Sequence, residues 1–376
     1  MSIKTLSKRM LAIAVAGAMT MGLAMPTSVF AAGGDTATKT TEAYISKTFN
    51  TEVGKNEKFS FKAEPVGGNT EKVTIPDINF TESETGTTTK RAKVSFPEWT
   101  DAGKYEYTVK ETGATPEITD VKHQKMIMSK AEYTMDVYVS NSGSGLEISN
   151  IIVNKTKDDK GATATGKVDI SDTDKNGFKF TNTYVQEAGT GTDPTNPDPT
   201  YDKDGSLNVT KTIVANGGTL DADKEFDFTA TFNFPTGTDA NTLGGVKNAE
   251  GNKITISEDG TYKFKLKANK NMKFTGVPVG TKISVEESAT PNYKGSAESV
   301  FNGVSQTKVE ASKYDEAITV KNTLGQKQNK VDVTNTYNYV PTTGIIMNTL
   351  PYVLMIALCG AALMAFVAFK RRRLQK

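Results

Sequence analysis

Two stretches of the chain repeat one another in order, and this ordered duplication restricts the fold more than any single motif does. The first runs Ile45-Ser46-Lys47-Thr48, then Phe59-Ser60-Phe61, then Tyr107-Thr108-Val109-Lys110-Glu111, and closes on Phe180-Thr181-Asn182-Thr183-Tyr184. The second runs Val209-Thr210-Lys211-Thr212, then Phe226-Asp227-Phe228, then Ile283-Ser284-Val285-Glu286-Glu287, and closes on Val333-Thr334-Asn335-Thr336-Tyr337. In both, β-branched and aromatic residues alternate with polar ones, as they also do over Tyr133–Val139 and Tyr262–Leu266, between turn signals of Gly, Asn and Asp. No long helical period competes in these blocks, so the spacing predicts an all-β chain with one β-sandwich per block.

The clearest break between the blocks is 187–205, with Gly189-Thr190-Gly191-Thr192-Asp193-Pro194-Thr195-Asn196-Pro197-Asp198-Pro199-Thr200 at its heart. Rich in Pro, Gly, Asp and Thr and without apolar periodicity, it reads as a stiffened linker between modules at 36–186 and 206–339.

The two ends carry different information. Lys4, Lys8 and Arg9 precede an apolar run from Met10 to Met25, and the small residues Val29 and Ala31 fit a signal-peptidase site, so 1–31 is expected to be a signal peptide and the mature chain to be exported. At the other end, Ile345–Phe369 is a nearly unbroken apolar stretch that as a helix spans roughly 37 Å, enough for a ~30 Å hydrocarbon core. Lys370, Arg371, Arg372 and Arg373 follow within the tail 370–376, which the positive-inside rule keeps cytoplasmic.

Directly before that span stand Val340, Pro341, Thr342, Thr343 and Gly344. Pentapeptide, span and basic tail together resemble the sortase sorting signal of Gram-positive surface proteins, with Val in place of the usual Leu, as in pilin-type signals read by polymerising sortases. Pro341 would hold the preceding backbone extended for an enzyme groove, and Gly344 would let a nucleophile reach the Thr343 carbonyl. The resemblance implies transient membrane insertion, cleavage between Thr343 and Gly344, and transfer of Thr343 to an amine of peptidoglycan or of another copy.

Composition removes several classes of function. A formal charge of +2 gives no reason to expect nucleic acid, and the single Cys, Cys359, lies inside the apolar span. An exported chain without extracellular thiols has no disulfides, so any covalent staple comes from another chemistry. With His123 as the one histidine, neither a zinc cluster nor a His-based triad can be assembled; no metal or cofactor is expected, and His123 reads as an ordinary surface residue.

Over nearly the whole exported part, the ordered Lys, Glu and Asn resemble the isopeptide-forming Ig-like domains of Gram-positive backbone pilins, including collagen-adhesin B-type modules. The resemblance implies two tandem Ig-like β-sandwich domains, each welded when a first-strand Lys attacks a last-strand Asn amide beside a carboxylic acid. The implied bonds are Lys47–Asn182 assisted by Glu111 and Lys211–Asn335 assisted by Glu287. Taken singly, each residue would read as a solvent-reaching strand position; the doubled order favours the bonds. Asn322, in Val320-Lys321-Asn322-Thr323-Leu324, rivals Asn335, whose flanks copy those of Asn182; Glu286 alternates to the opposite face from Glu287. The chemistry requires burial, which lowers a Lys pKa and raises a Glu pKa, leaving a neutral amine beside a protonated acid. Phe59, Phe61, Tyr107, Phe226 and Phe228 are candidates for the apolar wall.

In related backbone pilins the Lys that receives the sortase-held carbonyl lies near the last strand of the N-terminal domain. Lys175, in the polar turn Asp172–Gly177, is the first choice, with Lys179, Lys167 and Lys160 as rivals. The expected partners are further copies of the chain in a covalent polymer, a sortase and peptidoglycan, with accessory pilins and a host surface as further candidates. A wall-anchored stalk or basal subunit and a monomeric adhesin share the end signals and stand as alternatives. An enzyme with a diffusible substrate is disfavoured, because self-modification consumes the Lys, Asn and Glu set once.

Overall fold

The period-two stretches become strands, in a computed structural model that describes residues 40–118, 122–170, 176–215, 217, 219–338 and 343–373. The expected signal peptide, Lys175, and Val340, Pro341 and Thr342 of the pentapeptide lie outside the described residues. The first module contains β1 (Tyr44–Thr51), β2 (Glu57–Val66), β3 (Ile78–Phe80), β4 (Gly86–Lys93), β5 (Gly103–Thr115), β6 (Gln124–Ile127), β7 (Glu132–Ser142), β8 (Gly145–Lys157), β9 (Thr163–Val168) and β10 (Phe178–Gln186). A short helix, α1 (Thr200–Asp204), leads into the second. That module contains β11 (Leu207–Ala215), β12 (Phe226–Asn233), β13 (Thr261–Leu266), β14 (Lys270–Phe274), β15 (Lys282–Glu287), β16 (Tyr293–Phe301), β17 (Val304–Ser305), β18 (Val309–Glu310), β19 (Ile318–Thr323) and β20 (Lys330–Tyr337). A helix, α2 (Thr343–Arg373), follows.

Each module is a sandwich of two sheets. The first has the orders β4-β1-β10-β6 and β3-β2-β5-β7-β8-β9; the second has β14-β11-β20-β16-β17, with β18 also on β16, and β13-β12-β15-β19. In both, the first and last strands are parallel neighbours, β1 with β10 and β11 with β20, whereas the other ladders are antiparallel. A parallel pair needs a long crossover. Here the crossover is the rest of the module, so the fold closes only when its last strand docks beside its first.

Aromatic residues fill the space between the sheets. Phe49 on β1 meets Phe59 on β2 and Phe80 on β3 edge-on at 5.2 and 5.3 Å, and Phe61 on β2 meets Phe180 on β10 at 5.2 Å. In the second module Phe226 on β12 meets Tyr293 on β16 at 5.1 Å, and Phe232 on β12 meets Phe274 on β14 at 5.4 Å. Burying one such ring contributes about 1.5–3 kcal/mol. The buried hydroxyl of Tyr133 on β7 is satisfied by donating to the Lys179 carbonyl at 2.7 Å.

The segment expected to be a linker, 187–205, is docked rather than free. Glu187 N–H donates to the His123 carbonyl, Ala188 N–H to Val277, Gly189 N–H to Gly325 and Gly191 N–H to Gln326, so the segment bonds to both modules. Gly189 is required there, because at φ 82° a Cβ would stand 2.1 Å from the Gly205 carbonyl oxygen. The excursion between β12 and β13 reaches the first module: a Cβ on Gly237 would lie 2.5 Å from Thr183 Oγ1 of β10.

Within α2, Tyr352–Arg371 has a mean hydropathy of 2.4 and is long and apolar enough to cross a membrane. Its apolar side chains point in all directions and are exposed, Leu354, Ile356, Leu363, Phe366 and Phe369 among them. A helix apolar on every side has no aqueous face, as a membrane span requires. Thr343 and Gly344 are its first two residues.

Candidate functional site: two buried amine, carboxyl and amide clusters

On β1 the inward positions are Ile45, Lys47 and Phe49, and on β10 they are Phe178, Phe180, Asn182 and Tyr184. Lys47 and Asn182 thus occupy positions where the alternation calls for an apolar residue. The parallel register places Phe180 opposite Lys47, and Asn182 opposite Phe49. In the second module Leu207, Val209, Lys211 and Ile213 face inward on β11, and Val331, Val333 and Asn335 on β20. Val333 stands opposite Lys211, and Asn335 opposite Ile213. The offset of two positions is the same, so in each module amine and amide share a face and lie diagonally adjacent.

The acid comes from the other sheet. Glu111 on β5 is opposite Phe61, and Glu287 on β15 is opposite Phe228. Lys47 Nζ donates to both carboxylate oxygens of Glu111 at 2.9 Å, and Asn182 Nδ2 donates to Oε1 of the same group at 2.7 Å. Lys211 Nζ donates to Oε1 and Oε2 of Glu287 at 3.1 and 2.8 Å, and Asn335 Nδ2 donates to Oε1. Lys47 Nζ lies 4.2 Å from the Phe59 ring centroid, and Lys211 Nζ lies 4.1 Å from that of Phe226. Lys47 and Asn182 are 0 % exposed, Lys211 1 % and Asn335 2 %.

Desolvation sets the electrostatics. It pushes the Lys47 and Lys211 ammonium groups down to about 8, against the pull of Glu111 and Glu287. Burial pushes both glutamates up, although each faces a lysine and an asparagine amide. The two shifts converge, which brings the neutral pair of amine and carboxylic acid within reach of a proton moving across one hydrogen bond. Such a pair next to a primary amide has the parts needed for aminolysis: a nucleophile, a proton shuttle and an acyl centre.

The rivals lie elsewhere. Glu286 points outward from β15 and is exposed. Asn322 on β19 is opposite Ile283, with its Oδ1 on the Thr323 N–H at 2.8 Å. Lys160, Lys167 and Lys179 are exposed.

Three features escaped the sequence. Ser129 N–H donates to Asn182 Oδ1 at 2.7 Å, and Met128 Sδ is 3.3 Å from Asn182 Nδ2. Asp159 secures that loop, its Oδ1 accepting from Ser129 Oγ and from Thr181 N–H. His123 is not a surface residue: its side chain is 8 % exposed, with Nδ1 2.6 Å from Glu187 Oε2 and its ring edge-on to Tyr201. The correction comes from the docked segment, which covers the imidazole. No local pattern announces any of these, because each joins loops distant in sequence.

A family described as a domain of unknown function, DUF7601, matches residues 205–337, which is the second sandwich. No curated protein matches the chain. Among solved structures, the chain is similar to a major pilin protein from Streptococcus pyogenes (T3.2), at 20 % identity over 80 % of this chain and 99 % of that one, with a TM-score of 0.32. A second S. pyogenes major pilin (T-13) matches at 16 % identity over 80 % and 98 %, with a TM-score of 0.31. An adhesin from Mobiluncus mulieris, described as containing intramolecular disulfide, isopeptide and ester bond cross-links, matches at 13 % identity over 79 % and 88 %, with a TM-score of 0.25.

Proposed function

We propose that the chain is a structural subunit of a cell-surface pilus shaft, stiffened by self-catalysed Lys47–Asn182 and Lys211–Asn335 isopeptide bonds and polymerised and wall-anchored by a sortase. The observation that carries this reading is the duplicated cluster, two modules with the same parallel register, the same two-position offset and the same facing acid.

The chemistry follows from that arrangement. With the shared proton on the glutamate, Nζ is a neutral amine and attacks the asparagine Cγ. A carbon–nitrogen bond forms, the carbonyl electron pair moves onto Oδ1, and Nζ carries an extra proton. The glutamate relays that proton to Nδ2, the Cγ–Nδ2 bond breaks, and ammonia leaves as the carbonyl reforms. Nothing is consumed beyond the two side chains. Escape of ammonia makes the step irreversible.

Polymerisation rests on separate support: the pentapeptide Val340-Pro341-Thr342-Thr343-Gly344, the apolar helix behind it and the basic tail. In this reading Thr343 of one copy is joined to Lys175 of the next. Two measurements test the two halves. Intact mass of the exported chain should fall short of the sequence mass by about 34 Da, two ammonia molecules, and an unreduced mass defeats the bonds. Wall extracts boiled in detergent should give a high-mass ladder that Lys175→Ala collapses; a single band in the parent instead marks a stalk or adhesin attached one copy at a time.

A further inference from the structure

The two clusters differ at one atom. In the first module Asn182 Oδ1 accepts a hydrogen bond from Ser129 N–H at 2.7 Å. In the second, Asn335 Oδ1 is buried and has no partner. It lies against the β16 backbone, where a Cβ on Gly295 would come within 3.2 Å of it and equally close to Ile318 Cγ2. One acyl oxygen thus has a backbone donor aimed at it and the other sits in an apolar niche.

We infer that Ser129 N–H is an oxyanion donor for the first module's cross-linking step and that the second module lacks a counterpart, so the Lys47–Asn182 bond closes faster than the Lys211–Asn335 bond. This rests on the isopeptide reading above. In the first module the donor fixes the amide with its oxygen on Ser129 and its nitrogen on Glu111. Negative charge developing on Oδ1 then meets a preorganised N–H, and Glu111 is left to move the proton from Nζ to the departing Nδ2. Bond order and charge balance at every step: Nζ–Cγ forms, Cγ–Nδ2 breaks, and ammonia carries off the proton that Nζ gives up.

In the second module the same glutamate must serve both ends of the amide. With Nδ2 on Glu287 the oxyanion has no donor. With the amide turned over, the acid can donate to Oδ1 but Nδ2 faces the niche and its proton relay is broken. Asp159 acts through Ser129 and is a positioning residue, holding the Ser129 hydroxyl and the Thr181 N–H of β10 on one carboxylate oxygen.

The test uses the full-length chain recovered unfolded, so that no bond has formed, and refolded by dilution into detergent, which starts both modules together. Pulsed hydrogen exchange with mass spectrometry reads when each module folds, and peptide mapping of the same samples reads when each loses about 17 Da. Because one oxyanion donor is worth ~10²–10³ in acyl-transfer rate, the lag from folding to mass loss should be at least about tenfold shorter in the first module. Asp159→Asn should lengthen that lag and leave the second module's unchanged, and Ser129→Pro, which deletes the N–H, should lengthen it further if the module still gains exchange protection. Equal lags in the parent, or a protected Ser129→Pro chain that cross-links at the parental rate, overturn the inference while leaving the bonds in place. Absence of mass loss from both modules overturns the isopeptide reading instead.

Discussion

Asn182 stands two positions past the residue opposite Lys47 on a parallel neighbouring strand, and both side chains end on Oε1 of one glutamate. Parallel pairing matters here because it puts the early lysine and the late asparagine at nearly the same height in the sheet although 134 residues separate them in the chain. A bond across that gap closes a loop holding almost the entire module.

The cleanest measure of that bond's worth removes the electrophile and keeps the ion pair. Asn335→Ala leaves Lys211 on Glu287 and should lower the stability of the second module by about 4–5 kcal/mol, the chain-entropy value for so long a loop by analogy with a disulfide. Calorimetry and a mass higher by one retained ammonia, after correction for the substitution, should appear together. A parental melting temperature would argue that the loop is not closed.

Closure should depend on pH in both directions. The reactive state holds one proton between amine and acid. Above pH 8, the value to which burial pushes Lys47 and Lys211, that proton is lost and the acid can no longer act. Towards low pH the pair gains a second proton and the amine is masked, with the burial-raised glutamates setting that limb. Mass loss followed during refolding across the pH range should give a bell. A rate climbing steadily past pH 10 would show that the carboxyl group takes no part.

Glu187 makes a separate prediction about the joint. Its carboxylate accepts from Tyr201 Oη, Ser206 Oγ and Gly276 N–H, with His123 on the other oxygen. Burial pushes this carboxyl up, but the donors His123, Tyr201, Gly276 and Ser206 outweigh it and hold it below the ordinary range. Its contribution is therefore complete above the unfolded carboxylate pKa and is lost as pH falls through the depressed value. Glu187→Ala should cost about 3 kcal/mol or more, since several charge-assisted bonds go at once. We expect one calorimetric transition in the parent and two in the variant; one transition in both would place the coupling elsewhere.

Glu57 behaves in the opposite sense. It is 2 % exposed with neither carboxylate oxygen partnered, and burial pushes it up to about 7, opposed by Lys55. The fold binds its proton more tightly than the unfolded chain does, so this group's contribution falls as pH rises between the ordinary glutamate range and 7. Glu57→Gln should stabilise the first module by roughly 2–3 kcal/mol at pH 8 and by little at pH 4. Equal effects at both pH values would mean that the carboxyl group is not neutral in the fold.

Much of this site is legible in the chain itself. Lys47, Glu111 and Asn182 fall on the inward phase of Ile45–Phe49, Tyr107–Glu111 and Phe178–Tyr184, and the same phase selects Lys211, Glu287 over Glu286, and Asn335. Alternation is a local property, so a polar residue at an apolar beat can be read without coordinates. Pairing partners are not local, and the parallel contact of β1 with β10 follows only from the assembled sheet. Ser129 and Asp159 belong to turns whose position is set by β6, β7 and β8, so no spacing marks them. The composition of 187–205 correctly flags the lack of strand periodicity there, yet it carries no sign that Glu187 and Gly189 bond to two modules at once.

The docked segment takes on a further meaning once both amides are in place. With the two proposed bonds formed, a peptidase that nicked any loop inside 48–181 or 212–334 would leave the severed ends fastened through a side-chain amide. In the proposed polymer, 183–210 lies between the two bonds without such a bypass, and one cut there would part the filament. That stretch carries Pro194, Pro197 and Pro199 and tucks Gln186 through Gly191 into the protein, which shields that part of the backbone where redundancy is missing.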